Sequence, residues 1–277
     1  MGELKNFFDV QGEKVYMARG ILQYLDDKNF TKLLSQYEEA KQAGTKFYVG
    51  LYSNKLISSI RGRDDMSNLV NDQDRINLVE ALDFVDGAFI IQSLQKGEVQ
   101  KALELCVLKK KNQLVETKEP LPKYEVGYAS GGFSNLHKGH VEHLKTMAEQ
   151  CKTVIVAVNS DELIQNYKHK KAGVPDEMRR QILSHIRYVD MAIITSDYDK
   201  LKAVERVKEL CGKSFNAIFA GSDWKGDPNW IEFEEKLSKM GIDVVFTDRP
   251  EKGISSTFIE KSKKKGRKKE EIDQEQK

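Results

Sequence analysis

Short apolar runs alternate with amphipathic stretches through the second half of this chain. Of all its sequence features, this alternation constrains the fold of the chain most. Five runs have the length and composition of buried strands: Tyr124–Ser130, Thr153–Asn159, Met191–Thr195, Ala217–Ala220 and Val244–Thr247. Between them lie stretches of helical periodicity at His140–Glu149, Asp176–Arg187, Lys200–Leu210 and Trp230–Met240. Strands and helices in this order are typical of a parallel sheet with crossover helices. The sequence therefore predicts an α/β fold with a doubly wound, Rossmann-like parallel sheet.

The first half of the chain repeats part of this order. Phe47–Ser53 corresponds to Val154–Ser160, Arg75 to Arg179, Val85-Asp86 to Val189-Asp190, and Gly20–Leu25 more loosely to Gly131–Leu136. A strand, an arginine, a helix and a Val-Asp pair thus recur in the same order. We interpret this as two tandem copies of one unit, the first of them incomplete. Chance similarity between two strand–helix–strand units is the alternative.

The length of the chain agrees with two packed units, because 277 residues exceed the usual size of one domain. We expect a degenerate first unit over 1–115 and a linker over 116–123, where lysine and proline interrupt the pattern. The second unit is expected over 124–262. A charged tail over 263–277 is expected to be disordered.

Composition and charge exclude several classes of protein. The net charge is +2, but the last 17 residues carry +4, so the remaining chain carries −2 and shows no basic face for nucleic acid. No apolar segment approaches the roughly 20 residues of a membrane span, and no signal peptide is visible. Cys106, Cys151 and Cys211 lie far apart, which excludes a disulfide framework and a cysteine zinc site. A reducing compartment, the cytoplasm, is expected.

The segment YASGGFSNLHKGH carries the most chemical information. Gly131 and Gly132 follow a buried strand and permit a tight turn beside a ligand. His137 and His140 lie at the start of the next helix, where unpaired N–H groups and the helix dipole favour an anion. This arrangement favours a phosphate site. A metal site that includes the nearby His143, or incidental surface histidines, are the alternatives.

Three later segments add a family resemblance. SDELIQNYKHKKAGVPDEMRRQILSHIRYVD, GSDWKG at 221–226 and RPEKGISST at 249–257 follow GGFSNLHKGH in order. Together they resemble the cytidylyltransferases, within the H-x-G-H nucleotidyltransferase superfamily, over about residues 124–262. The nearest motifs are those of glycerol-3-phosphate cytidylyltransferase. A doubled transferase domain also resembles ethanolamine-phosphate cytidylyltransferase.

The resemblance implies roles for individual residues. His137, His140, Lys170 and Arg179 would be catalytic, and a magnesium ion with unidentified protein ligands would accompany the triphosphate. Contacts to the nucleotide would come from Gly131, Gly132, Phe133, Lys168, Arg187, Gly221, Asp223, Trp224, Arg249, Gly253, Ile254, Ser255, Ser256 and Thr257. Four of these groups have a simpler interpretation: the lysines as a solvated loop, Arg187 as a salt-bridge residue, the serines and Thr257 as a helix cap, and Trp224 as a core residue. Arg179 and Arg187 are expected on one face of one helix, since they lie eight residues apart.

The implied reaction transfers CMP from CTP to a small phosphorylated alcohol and releases pyrophosphate. Glycerol 3-phosphate is the first acceptor expected, and phosphoethanolamine or phosphocholine the second, so the product would be a precursor of phospholipid or cell wall. Ser134 and Ser222 replace family aspartates, and one residue is inserted between Arg249 and Gly253, which leaves the acceptor open. An adenylyltransferase acting on a sugar phosphate and a non-enzymatic nucleotide-binding or scaffold protein are the alternatives.

The first half is expected to be inactive. Asp26-Asp27-Lys28-Asn29 stands where the second half has His137-Lys138-Gly139-His140, and two carboxylates would repel a triphosphate. We expect this half to pack against the active half as a dimer within one chain. An unrelated α/β module that binds a small ligand or partner is the alternative for this half. A homodimer of the whole chain is the alternative to the dimer within one chain.

Overall fold

Two mainly parallel sheets, one in each half, form the framework of the protein. The computed structural model describes residues 6–61, 70–112, 122–169, 171–212 and 214–248. The first half contains β1 (Phe7–Val10), β2 (Glu13–Gly20), α1 (Asp27–Gln42), β3 (Lys46–Tyr52), α2 (Asn54–Arg61), α3 (Asp72–Glu80), β4 (Gly87–Ile91) and α4 (Lys96–Asn112). Its strands lie in the order β1-β2-β3-β4, and β1 alone is antiparallel to its neighbour.

The second half forms a five-stranded sheet that is parallel throughout. Its elements are β5 (Tyr124–Gly131), α5 (Lys138–Gln150), β6 (Cys151–Asn159), α6 (Asp161–Lys168), α7 (Asp176–Ser184), β7 (Met191–Thr195), α8 (Lys200–Cys211), β8 (Ala217–Gly221), a short 3₁₀ helix (Ser222–Trp224), α9 (Pro228–Lys239) and β9 (Asp243–Thr247). The strand order is β7-β6-β5-β8-β9. The predicted α/β class with a doubly wound parallel sheet is confirmed.

Each predicted strand of the second half is present within two residues of its expected bounds. The strands are recognisable from sequence because both faces of the sheet are covered, so that their residues are apolar along their length. Apolar side chains of α5 and α7 pack on one face and those of α8 and α9 on the other. One predicted helix is too long. Asp176–Arg187 ends at Ser184, because His185 leaves the helical conformation and a turn leads into β7.

Positions that the sequence comparison pairs make the same hydrogen bonds in both halves. Phe47 N–H donates to the Asp86 carboxylate at 2.8 Å, and Val154 N–H donates to the Asp190 carboxylate at 2.7 Å. In the same way, the backbone N–H groups of Ser53 and Ser160 donate to the last residue of β4 and of β7, Ile91 and Thr195. The two halves therefore share local geometry as well as sequence order.

The halves pack against each other through a shared core and two short antiparallel bridges. Leu25 and Leu136 exchange both backbone hydrogen bonds, at 2.9 and 3.1 Å. A second bridge joins Leu82 to Ile186. Both bridges pair residues at corresponding positions of the two halves, which is the geometry of an isologous contact. One continuous cluster of buried apolar side chains extends across this interface.

No helix in the described ranges is long and apolar enough to cross a membrane. The expected linker and tail lie mostly or wholly outside these ranges. The proposed domain bounds therefore stay predictions.

Candidate active site

The carboxyl ends of the five parallel strands of the second half lie at one edge of the sheet, and we refer to the part of this edge between β5 and β8 as the crevice. Chain order reverses at this point, because β6 and β8 lie on opposite sides of β5. Ligands of open α/β sheets bind outside such a switch point. Gly131 ends β5 and Gly221 ends β8, so both predicted glycines lie at this crevice.

The two motif histidines lie together at the start of α5. Their rings stack with centroids 4.0 Å apart and planes 24° apart. His137 is the N-cap of the helix, and its Nδ1 accepts the Gly139 N–H at 3.2 Å. A neutral His137 ring with Nδ1 as acceptor carries its proton on Nε2. The pair therefore places imidazole groups beside the positive end of a helix dipole, as the phosphate interpretation requires.

The glycine turn before these histidines contains a strained residue. Phe133 has φ +46°, a conformation that side-chain-bearing residues seldom adopt. Its ring packs against the His140 ring with centroids 5.1 Å apart. A Cβ on Gly131 would approach the Phe133 ring to 3.1 Å, so a side chain there would require the ring to shift by a few tenths of an ångström. The Phe133 ring thus packs against the His140 ring and restricts its position.

Arg179 is buried beneath the site and contacts the protein through most of its donors. Its Nη1 donates to Gly132 O at 2.6 Å and to Asn159 O at 2.8 Å, which joins the ends of β5 and β6. Its Nε donates to Val174 O at 2.8 Å, and Nη2 pairs with the Asp161 carboxylate. These bonds use four of the five N–H donors of a guanidinium. The observed role is to position the glycine turn, and the expected catalytic role stays a prediction.

Arg187 lies away from Arg179, and the expectation that both share one helix face is wrong. Since α7 ends at Ser184, Arg187 belongs to the following turn. Its Nη2 donates to Leu82 O at 2.8 Å and to Val85 O at 3.1 Å, both in the first half. The structure thus places Arg187 in the interface between the halves. Its predicted nucleotide contact has no support in this geometry.

The β8 side of the crevice carries the next predicted residues. Asp223 is exposed and Trp224 half-buried in the 3₁₀ helix after β8, and the Trp224 ring lies 6.4 Å from that of Trp230. The end of β9 also reaches the histidine helix, because His143 Nδ1 lies 2.7 Å from Thr247 Oγ1. That contact gives His143 a partner in the protein.

Several predicted residues lie outside the described part of the structure. The side chain of Lys168 is one of them, although its backbone ends α6. The others are Lys170, Arg249, Gly253, Ile254, Ser255, Ser256 and Thr257. Their roles stay predictions.

Sequence reasoning missed Lys200, the most unusual cation of the site region. It opens α8 and is 8% exposed, and its Nζ donates to Ser130 Oγ at 2.7 Å. The ammonium lies over the rings of Tyr198 and Trp230, at 5.0 and 5.8 Å from their centroids. Burial lowers the pKa of Lys200 to about 8. No motif marks this lysine, because its burial depends on the packing of α8 against α9.

The described residues contain no group of three or more His, Cys, Asp or Glu side chains suited to a metal ion. Burial raises the pKa of the Cys106 and Cys151 thiols to about 11, so both are protonated at neutral pH and are poor nucleophiles.

The corresponding helix of the first half has a carboxylate in place of the imidazole. Asp26 is the N-cap of α1 and accepts the Asn29 N–H at 3.1 Å, as His137 caps α5. A carboxylate at this position already satisfies the helix N-terminus and adds negative charge. The inactivity of the first half stays a prediction.

Comparison with known proteins identifies the second half. A family model described as cytidylyltransferase-like matches residues 128–262. Glycerol-3-phosphate cytidylyltransferase from Staphylococcus aureus is 33% identical over 130 residues, which cover 47% of this chain and 87% of that protein. FAD synthase from Archaeoglobus fulgidus is 30% identical over 118 residues, which cover 42% of this chain and 80% of that protein.

A solved structure of a lipopolysaccharide core biosynthesis protein from Thermoplasma volcanium is 28% identical and covers 46% of this chain and 97% of its own, with a TM-score of 0.38. The residues matched by the family model include the histidine pair and the glycine turn described above. The chain therefore belongs to the cytidylyltransferase-like family and is a nucleotidyltransferase.

Proposed function

We propose that this protein transfers CMP from CTP to a small phosphorylated alcohol, with glycerol 3-phosphate as the leading acceptor, and releases pyrophosphate. The observation that carries the proposal is the stacked pair of His137 and His140 at the N-terminus of α5. In the reaction an acceptor phosphate oxygen bonds to the α-phosphorus of CTP as the bond to pyrophosphate breaks. The negative charge that moves onto the leaving oxygen is what imidazole and backbone N–H donors stabilise.

The N-terminus of α5 supplies the fixed part of that stabilisation. Its first backbone N–H groups and the two imidazoles lie at the carboxyl edge of β5. Because the Gly132 carbonyl is bound by Arg179, the turn that leads to the histidines does not need to reorganise when the phosphates bind. Lys168 and Lys170 are proposed to close over the leaving phosphates, as the family resemblance implies.

The position of Lys200 favours an acceptor that is anionic and has no cationic head group. Its ammonium lies at the carboxyl edge of β5, on the face of the sheet opposite to α5. A phosphate monoester would stabilise the charged form of this buried amine. Choline or ethanolamine head groups would instead meet a like charge over the rings of Tyr198 and Trp230. We therefore rank glycerol 3-phosphate above phosphocholine and phosphoethanolamine.

A substrate panel tests the proposal on the full chain. Pyrophosphate release is measured with each of four nucleoside triphosphates against glycerol 3-phosphate, phosphocholine, phosphoethanolamine and a sugar phosphate. We expect turnover with CTP and glycerol 3-phosphate to exceed every other pairing by about tenfold or more. Turnover confined to ATP would replace the proposal with adenylyl transfer. That second candidate is favoured by the similarity to a FAD synthase, whose product contains an adenine nucleotide.

Replacing Lys200 tests the acceptor side separately. We expect Lys200→Met to raise the KM for the acceptor at least about tenfold, since a charged contact to phosphate is lost. The same variant should be more stable at pH 7 by about 3 kcal/mol, because the folded state no longer carries a buried ammonium. Steady-state kinetics and denaturant unfolding measure the two effects.

The sign of the pH dependence follows from the lowered pKa. Below about pH 8, Lys200 is charged in the folded wild type, and its burial lowers the free energy of unfolding by the full amount. This destabilisation decreases as pH rises from about 8 towards 10.5, the pKa of a lysine in the unfolded chain. The stability advantage of Lys200→Met should therefore shrink over that range. Lys202→Met is the matched control, because Lys202 lies in the same turn but is exposed and paired with Asp197. Unchanged acceptor KM in Lys200→Met would remove Lys200 from the acceptor site.

Three further features belong to the same proposal. The first half is a degenerate copy of the transferase unit, which the matched hydrogen bonds at Asp86 and Asp190 support. A magnesium ion would bind mainly through phosphate oxygens, as is usual for this ion. The buried free thiols of Cys106 and Cys151 support a cytoplasmic location.

A further inference from the structure

The first half of the chain binds the histidine loop at both residues that flank His137. On one side, Leu136 exchanges two backbone hydrogen bonds with Leu25. On the other side, Lys138 Nζ lies 2.8 Å from the carboxylate of Asp74 in the first turn of α3. His137 lies between these two contacts and caps α5. Its position is therefore set by contacts with the other half as well as by its own helix.

The Asp74 carboxylate is oriented and partly shielded from water. Its second oxygen accepts the Asn71 amide at 2.7 Å, and its backbone N–H donates to Asn71 Oδ1 at 2.8 Å. The Asp74 side chain is 14% exposed and that of Lys138 is 32% exposed. Partial burial weakens screening by solvent and salt, so this pair is stronger than an ordinary surface pair. In agreement, Asp74 raises the pKa of Lys138 above its usual value.

The contact has no counterpart in the opposite direction. The first-half position that corresponds to Lys138 is Asp27, and the second-half position that corresponds to Asp74 is Met178. Asp27 and Met178 cannot form an ion pair. Two identical subunits related by a two-fold axis would make the contact twice. Among the described residues, this ion pair therefore supports the site of the second half without an equivalent pair at the first.

The loop has a physical need for external support. Phe133 is held at φ +46°, and strained backbone persists only where the surrounding structure determines it. The loop from Phe133 to His137 is anchored at one end by Arg179, through Gly132 O, and at the other by the two contacts to the first half.

We propose that Asp74 is a positioning residue for nucleotidyl transfer. By binding Lys138 it fixes the first turn of α5, and with it the imidazole of His137, relative to the phosphates. The catalytic part of this inference rests on the proposed function. The structural part concerns the protein without ligand and can be tested by itself.

A double-mutant cycle on the full chain tests the inference. Asp74→Asn and Lys138→Met should each lower kcat about tenfold with little change in nucleotide Kd, because a partly buried charged contact is lost. The double variant should lose no more than either single variant, since both remove one contact. Asp74→Glu, which keeps the carboxylate, should recover most of the activity.

Amide hydrogen exchange of Gly139 gives a readout that does not depend on turnover. This N–H donates to His137 Nδ1, so it reports the geometry of the cap. In the unliganded protein we expect exchange about tenfold faster in Asp74→Asn and in Lys138→Met. Glu142→Gln is the matched control, because Glu142 is the other carboxylate near Lys138, at 3.5 Å, but lies on α5 itself. The control should leave exchange and kcat close to wild type.

The outcomes separate this inference from the proposed function. Additive losses in the double variant would show that Asp74 and Lys138 act independently, and would overturn the inference. Unchanged Gly139 exchange in both single variants would overturn it as well. Coupled changes in exchange without turnover of any nucleotide would support the positioning contact and refute the proposed function.

Discussion

Replacing either motif histidine should abolish most nucleotidyl transfer while the protein stays folded. We expect kcat to fall about 10²- to 10³-fold in His140→Ala and in His137→Asn, the range found when one preorganised donor to a developing charge is removed. His137→Asn is the sharper of the two variants. Asparagine is a good N-cap and can accept the Gly139 N–H, so it preserves the cap and removes the second ring nitrogen.

Pyrophosphate release under saturating nucleotide measures this loss, and circular dichroism verifies the fold. His185→Asn is the control, because His185 lies in the interface beside Asp83 and outside the crevice. Its turnover should stay within about twofold of wild type. If His137→Asn and His140→Ala retained half of the wild-type kcat, the stacked pair would not be the reacting centre.

Replacing Arg179 should have the largest effect on stability. Arg179→Met removes four hydrogen bonds and leaves the carbonyl groups of Gly132, Asn159 and Val174 without this donor. We expect the free energy of unfolding to fall by about 3 to 5 kcal/mol, since buried acceptors lose a charged partner. Urea unfolding followed by fluorescence and circular dichroism measures the change.

The neighbouring arginine supplies the control for this experiment. Arg180 pairs with Glu177 on the solvent side of α7, so Arg180→Met should leave the unfolding free energy within experimental error of wild type.

Arg75 is the position in the first half that corresponds to Arg179, and it is also fully buried. Within the described ranges, its Nε and Nη1 have no hydrogen-bond partner. Arg75→Met should therefore lower the free energy of unfolding by less than Arg179→Met does. Equal decreases would contradict the importance assigned to the carbonyl contacts.

The strands and the histidine loop could be predicted from sequence because their signals are local. A strand covered on both faces is apolar along its length, and a tight turn between strand and helix requires glycine. Gly131 and His137 are where these rules place them, at the end of β5 and at the cap of α5. The family motifs around them also consist of residues that are neighbours along the chain, so they could be recognised in the same way.

The roles of the two motif arginines could not be predicted in this way. Spacing placed Arg179 and Arg187 on one helix face, but the helix ends at Ser184, three residues before Arg187. One guanidinium is buried under the glycine turn and the other reaches the backbone of the first half. Where α7 ends depends on the direction in which the chain must turn to enter β7. The sequence of the helix alone does not contain that information.

Sequence alone determined the order of strands and helices, the glycine turn and the two imidazoles, because each depends on residues that are neighbours along the chain. Tertiary structure alone decided that Lys200 is buried against Ser130 and that Asp74 reaches Lys138. Those contacts join residues 64 or more positions apart, and their strength comes from desolvation. Desolvation is a property of the packed interior, so a sequence pattern carries no sign of it.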